Sequence, residues 1–221
     1  MKYKFFPQCL ILITFLSSHI IGHTRILFVS DRDWNSEIYV MDIDGNNPRN
    51  LTNNPKTDIN PSWSPDKQQI VFQRSSNAKG GGKDKKEGGN NDIYGKDKEG
   101  KNLRQLTDHP SDDRHPTWSP DGKQIAFISD RDGGKASAIY VMDTVGNNLR
   151  RLTNDVKFTW IDSPDWSPDG KQIVFTSMVI NKDAKEKSSE IYVINVDGKN
   201  PRQVAKNPKL TWTESPKWSP D

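Results

Sequence analysis

One unit returns along this chain, and it limits what the chain can fold into. It is clearest as Pro116-Thr117-Trp118-Ser119-Pro120-Asp121-Gly122-Lys123-Gln124-Ile125-Ala126-Phe127. Pro164-Asp165-Trp166-Ser167-Pro168-Asp169-Gly170 opens a near-copy, and Pro61-Ser62-Trp63-Ser64-Pro65-Asp66-Lys67 opens another. The last residues, Pro216-Lys217-Trp218-Ser219-Pro220-Asp221, begin a fourth. A unit returning every 40 to 45 residues or so marks a propeller or a solenoid, because one unit cannot bury its own apolar faces.

Within the unit, Ser-Pro-Asp-Gly suits a type I turn followed by a left-handed residue, which predicts a β-hairpin. Lys67 stands where the other copies have Gly122 and Gly170. A left-handed lysine costs roughly 1 kcal/mol, so this turn is expected to differ. A third strand follows in Glu37-Ile38-Tyr39-Val40-Met41-Asp42, Ala138-Ile139-Tyr140-Val141-Met142-Asp143 and Glu190-Ile191-Tyr192-Val193-Ile194-Asn195. It is apolar on both faces, as in a sheet packed between two others. Asp44-Gly45 and Asp197-Gly198 mark a turn into a fourth strand. That strand ends at Leu51-Thr52, Leu106-Thr107, Leu152-Thr153 and, more loosely, Val204-Ala205. The fold class is therefore all-β: a β-propeller of four-stranded antiparallel blades.

These motifs, together with Ile-x-Phe-x-Ser-Asp-Arg-Asp at the second strand, resemble the repeats of the TolB-like β-propeller family. The resemblance covers nearly all of residues 24–221. It implies a periplasmic or secreted bacterial protein that binds a protein partner in the cell envelope and has no catalytic centre. Related propellers also occur in prolyl-oligopeptidase-type and tricorn-type peptidases and in oligogalacturonate lyases. The alternative is thus the propeller part of such an enzyme, since fold alone does not carry function.

Residues 1–22 read as a signal peptide: Lys2 and Lys4, an apolar run from Phe5 to Leu16, then Ser17, Ser18 and Gly22. The sole cysteine, Cys9, lies inside that run. No later stretch is apolar enough to cross a membrane. The propeller occupies 23–221, with repeats of about 24–60, 61–115, 116–163 and 164–221. The net charge of +3, at 28% charged residues, points to neither nucleic acid nor an acidic surface. A Gly- and Lys-rich insertion at 76–90 is expected to be disordered, and a second insertion falls at 178–188. In repeat 2, Gly95 and Lys96 replace the Val-Met pair and degrade the third strand.

The chain begins at a second strand and ends at a first one. The strand ending at Trp218 could complete the first blade and close a ring of four. The alternative is an arc of a truncated six-blade propeller.

No nucleophile elbow, zinc-protease helix or phosphate loop is present. His109 and His115 read as ordinary loop histidines. Asp42-x-Asp44-Gly45 and Asn195-x-Asp197-Gly198 resemble pieces of a calcium loop but lack its later ligands, and tight turns explain them. Trp63, Trp118, Trp166 and Trp218 belong to the repeat and read as core, whereas Trp160 and Trp212 stand in interblade loops. Beside them, Asp58, Asp113, Asp162 and Glu214 occupy related places and would ring a channel mouth with negative charge. The register differs by one residue between the first two and the last two. Trp160, Trp212 and the four acids are the candidate partner-binding residues; no cofactor or metal is expected, apart from a calcium-like cation that such a ring could hold.

Overall fold

A computed structural model describes residues 24–78, 89–133, 136–154, 158, 160–181, 186–205 and 215–220. The expected signal peptide, most of the 76–90 insertion, Trp212 and Glu214 lie outside the described residues. Four antiparallel sheets follow one another along the chain. The first holds β1 (Arg25–Ser30), β2 (Glu37–Asp42) and β3 (Arg49–Asn50). The second holds β4 (Lys56–Trp63), β5 (Gln69–Ala78), β6 (Asn91–Asp97) and β7 (Arg104–Gln105). The third holds β8 (Asp113–Trp118), β9 (Gln124–Ser129), β10 (Ala138–Asp143) and β11 (Arg150–Arg151). The fourth holds β12 (Trp160–Trp166), β13 (Gln172–Asn181), β14 (Glu186–Asn195) and β15 (Arg202–Ala205). Each sheet is an up-and-down blade with strands in sequence order, and among the described residues the first has no inner strand.

The repeated motif builds the same turn each time. Ser64, Ser119 and Ser167 each donate a hydroxyl hydrogen bond of 2.6 Å to the aspartate two residues on. Each hydroxyl also accepts the N–H of Gln69, Gln124 or Gln172 at 2.9 Å. Lys67 adopts φ +58°, beside +70° for Gly122 and +69° for Gly170, so the expected difference in this turn is not found. Its N–H donates to Ser64 O at 2.8 Å, as Gly122 N–H does to Ser119 O at 2.9 Å. The shared hydrogen bonds outweigh the conformational cost of a left-handed lysine.

The Leu-Thr motif ends the fourth strand for a local reason. Leu51, Leu106 and Leu152 donate their N–H groups at 2.8 Å to the carbonyls of Ile38, Ile93 and Ile139. The next threonine hydroxyl accepts the same isoleucine's N–H at 2.9–3.0 Å, replacing a ladder bond. Repeat 4 has Ala205 instead of threonine, and there the ladder runs on to pair Ile191 with Ala205.

Apolar cores fill the spaces between sheets. Ile38, Val40, Leu51, Ile70 and Phe72 join the first two; Val71, Leu106, Trp118, Phe127 and Tyr140 the next two; Ile128, Leu152, Trp166 and Phe175 the last two. The third strands are buried on both faces, as expected: Ile38, Tyr39 and Val40 in β2, and Ile139 to Met142 in β10. Trp118 and Trp166 are core, but Trp63 and Trp218 are only half-buried. Despite Gly95 and Lys96, β6 forms in full, because Leu106 and Arg104 fill the space beside Gly95 and the Lys96 ammonium donates to Leu51 O at 2.8 Å. The 178–188 insertion largely continues the ladder, with Met178 opposite Ser189 and Asn181 opposite Glu186.

Residues 215–220 do not complete the first sheet. They lie beside β12, where Lys217 Nζ is 2.9 Å from Asp165 Oδ1 and Trp218 N–H donates to Asp165 Oδ2 at 3.0 Å. Successive sheets touch, and among the described residues no strand of the fourth touches the first.

Candidate functional site

The inner strands share a feature that repeats as faithfully as the hairpin. Asn60, His115, Ser163 and Ser215 each precede a proline and each have positive φ, of 53°, 50°, 50° and 52°. A following proline disfavours the right-handed helical region. The first three lie where the strand register slips, between Ile59 and Ser62, Arg114 and Thr117, and Asp162 and Asp165. A bulge of this kind re-aims side chains at a cost in strain of about 1–3 kcal/mol each, and such strain clusters at functional positions. Here the bulges converge on one cavity of about 250 Å3, lined among others by Asn60, Ser62, His115, Ser163, Ser215 and Lys217.

The cavity wall is polar and joined across blades. Ser163 and Ser215 hydroxyls are 3.3 Å apart, and Asn60 Nδ2 donates to Gln73 Oε1 at 2.9 Å. Asp162 Oδ1 lies 2.5 Å from His115 Nδ1 and accepts the Ser163 N–H at 2.7 Å. Partial burial pushes the Asp162 carboxyl up, but hydrogen bonding and charge from His115 outweigh it and hold the group below the usual carboxylate value. Next to this pair, the Arg114 guanidinium sits 5.3 Å from the ring centre of Trp160, which is 51% exposed.

The expected ring of four acids divides by register. Asp58 and Asp113 stand three residues before the proline and are fully buried. Each faces back into its own blade: Asp58 binds Arg74 through two bonds of 2.6 and 2.7 Å, and Asp113 binds Arg131 at 2.9 and 3.0 Å. Those guanidiniums stack on Phe72 and Tyr94, or on Phe127 and Tyr140. Asp58 and Asp113 therefore offer no free charge to a partner. Asp162 stands two residues before its proline, so strand alternation turns it the other way, towards His115. Ile161 takes the inward position in that repeat, and Phe158 packs edge-on against Phe175 and Tyr192 there. Asn60, Ser163 and Ser215 were not singled out from the sequence, and His115 was read as an ordinary loop residue. The signal for all four was a polar residue before proline at one fixed place in every repeat.

Among the described residues, no group of three or more His, Cys, Asp or Glu side chains is placed to hold a metal ion. The calcium-like aspartates are engaged in turns: Asp44 accepts the Asn46 N–H at 3.0 Å, and Asp197 that of Lys199 at 3.0 Å. No helix among them is long and apolar enough to cross a membrane.

Repeated antiparallel blades whose inner strands meet at a polar mouth define the β-propeller class. The model of the tricorn protease N-terminal beta propeller domain matches residues 89–221, more than half of the chain. The chain belongs to that family, and its repeats are TolB-like. A Tol-Pal system protein TolB from Francisella tularensis is 29% identical over 188 residues, covering 84% of this chain and 38% of that protein. The chain thus spans well under half of that relative's length. TolB from Acinetobacter baumannii has a similar fold, with a TM-score of 0.65 at 22% identity over 84% of this chain and 42% of that one. So does a Mycobacterium tuberculosis puromycin-hydrolyzing peptidase, with a TM-score of 0.60 at 15% identity over 84% of this chain and 29% of that one.

Proposed function

We propose that this chain is a non-catalytic TolB-like propeller of the periplasm or cell exterior that binds a protein partner at the polar mouth of its inner strands. The observation that carries this reading is the convergence of strained pre-proline residues on one cavity, beside an exposed tryptophan stacked on an arginine. Exposed aromatic anchors next to arginine are typical of binding hot spots. Trp160 and Asp162 are the contact residues proposed, with Trp212 and Glu214 at the matching places of the next repeat. Asp58 and Asp113 act at one remove, by holding the strands that carry the bulges. Likeness to Tol-Pal TolB supports an envelope partner.

The test is capture of partners from an envelope extract by the intact protein and by Trp160→Ala. A partner recovered by the first and lost from the second supports the reading; equal recovery overturns Trp160 as its anchor. The match to the tricorn propeller favours a second reading, the propeller part of a peptidase. Hydrolysis of fluorogenic peptides by the native polypeptide, isolated at its natural length, would establish that one instead.

A further inference from the structure

The cavity between the inner strands has a pattern of charge that points to one kind of chemical group. Each pre-proline bulge offers it the residue before the proline and the residue after. Of these residues, three can carry charge, His115, Asp165 and Lys217, and the rest are serine, threonine and asparagine. His115 and Lys217 line the cavity and Asp165 does not, so no acid stands among its described lining residues. The charged groups nearby are already engaged. Asp165 has one oxygen 2.9 Å from Lys217 Nζ, and the other accepts the Trp218 N–H at 3.0 Å. Asp162 lies on the Nδ1 side of the His115 ring, at 2.5 Å. The Arg114 guanidinium is held by Asp130 and Ser137, at 3.1 Å each.

What remains on the described wall is a set of donors held in place. Ser163 and Ser215, from successive repeats, bring their hydroxyls within 3.3 Å of each other. A hydroxyl rotates to donate where an acceptor arrives, and an ammonium has three N–H groups, of which Asp165 takes one. Pro61, Pro116 and Pro164 lie between these side chains. A proline's fixed φ keeps that backbone from rearranging, and donors held in advance lower the ordering cost of binding. The volume of about 250 Å3 is small for a whole ligand and suits a single side-chain-sized group. A cation would meet no acid on the described wall, whereas an anion meets the Lys217 ammonium and two hydroxyls.

We propose that this cavity takes a carboxylate, with the Lys217 ammonium as its counter-charge and the Ser163 and Ser215 hydroxyls as its hydrogen-bond donors. The inference rests on the reading of the mouth as the binding face, and it names what the partner inserts there. The group is an aspartate or glutamate side chain of the partner, or its C-terminal carboxylate. Charge-assisted bonds of this kind are about twice as strong as neutral ones, which makes the carboxylate the specificity element beside Trp160.

The probes are acetyl-Gly-Glu-Gly-amide, with its carboxylate on a side chain, acetyl-Gly-Gly-Gly, with a free C-terminus, and acetyl-Gly-Gln-Gly-amide as the neutral match. Each is titrated into the full 15N-labelled chain, and the amide shifts of Ser163, Ser215 and Lys217 are followed by NMR. Saturable shifts are expected with a carboxylate probe, and the probe that binds identifies the source of the group. The glutamine probe should bind about tenfold more weakly, the scale of a charge-assisted hydrogen bond. Lys217→Gln should weaken binding to a similar degree at unchanged melting temperature, since that side chain is largely exposed. Lys171→Gln, which removes an equally exposed lysine of the hairpin turn, should leave it unchanged. No saturable shift with either carboxylate overturns the proposal, as does equal binding of the glutamine probe or equal weakening by the two lysine variants. A partner captured through Trp160 while neither carboxylate binds overturns this inference alone. Carboxylate binding with no partner captured supports the cavity's chemistry and counts against the protein-partner reading.

Discussion

The first and third sheets share their local sequence and differ in their neighbours. Both have the Ser-Asp-Arg-Asp run, the same serine–arginine bond and the same tyrosine–aspartate bond. Yet β9 is buried along nearly its whole length and β1 is half-exposed. The third-to-fourth-strand turns show the same contrast. A Cβ on Gly146 would overlap the Leu106 carbonyl of the preceding blade, whereas one on Gly45 would meet nothing within 4 Å. Among the described residues, identical motifs thus meet a neighbouring blade in one sheet and none in the other. The motif supplies half of each contact, and the adjoining strand or blade supplies the rest.

The sharpest way to break this comparison is to remove the carboxylate. Asp113→Ala leaves the Arg131 guanidinium largely buried without its partner, at an expected cost of about 3–5 kcal/mol by urea denaturation. Arg32→Ala, whose guanidinium has no such partner among the described residues, should cost less than about 1 kcal/mol. Equal losses would mean that the two arginines do not differ as their surroundings say. Next comes the glycine pair. Gly146→Ala combines left-handed strain with overlap and should cost about 3 kcal/mol, against about 1 kcal/mol for Gly45→Ala. A cost for Gly45→Ala as large as that for Gly146→Ala would show a blade packed on the first sheet in solution.

The hairpin turns should respond less, and alike. Ser119→Ala removes a buried hydroxyl that both donates and accepts, with an expected loss of about 1–2 kcal/mol in thermal melts. Lys67→Gly should stabilise by about 0.5 kcal/mol, the left-handed strain relieved minus the added freedom of the unfolded chain. A destabilising Lys67→Gly would show that the lysine side chain makes a contact worth more than its strain.

The smallest effect is a slope with pH. The Ser119 hydroxyl and the Lys123 N–H hold the Asp121 carboxyl below its ordinary 3.8, and Ser64 and Gln68 do the same for Asp66. A carboxyl depressed in the folded state contributes stability that is complete above 3.8 and lost as pH falls through the folded value. Melting temperature should therefore decline below pH 4, and Ser119→Ala should flatten that decline.

The blades were legible because their signals are local. Ser-Pro-Asp-Gly sets a turn within a few residues, and Leu-Thr ends a strand by an exchange of hydrogen bonds within one hairpin. The alternation of Ile38, Tyr39 and Val40 with buried faces on both sides needed only strand geometry. The acids were harder to read. Asp58 and Asp162 look equivalent by composition, and one residue of register sends the first into a buried arginine pair and the second to a histidine of the adjacent blade.

What the sequence determined by itself was the unit: four strands, their turns, and the apolar faces that make neighbouring units stack. Periodicity and turn chemistry suffice there, because each interaction spans few residues. Only the tertiary structure decided which charges are spent inside the blades and which polar pre-proline residues meet at the cavity. Those outcomes depend on groups brought together from far apart, Arg131 with Asp113 across a blade and His115 with Asp162 between blades. A repeat makes such groups look alike in sequence, and only their neighbours in space tell them apart.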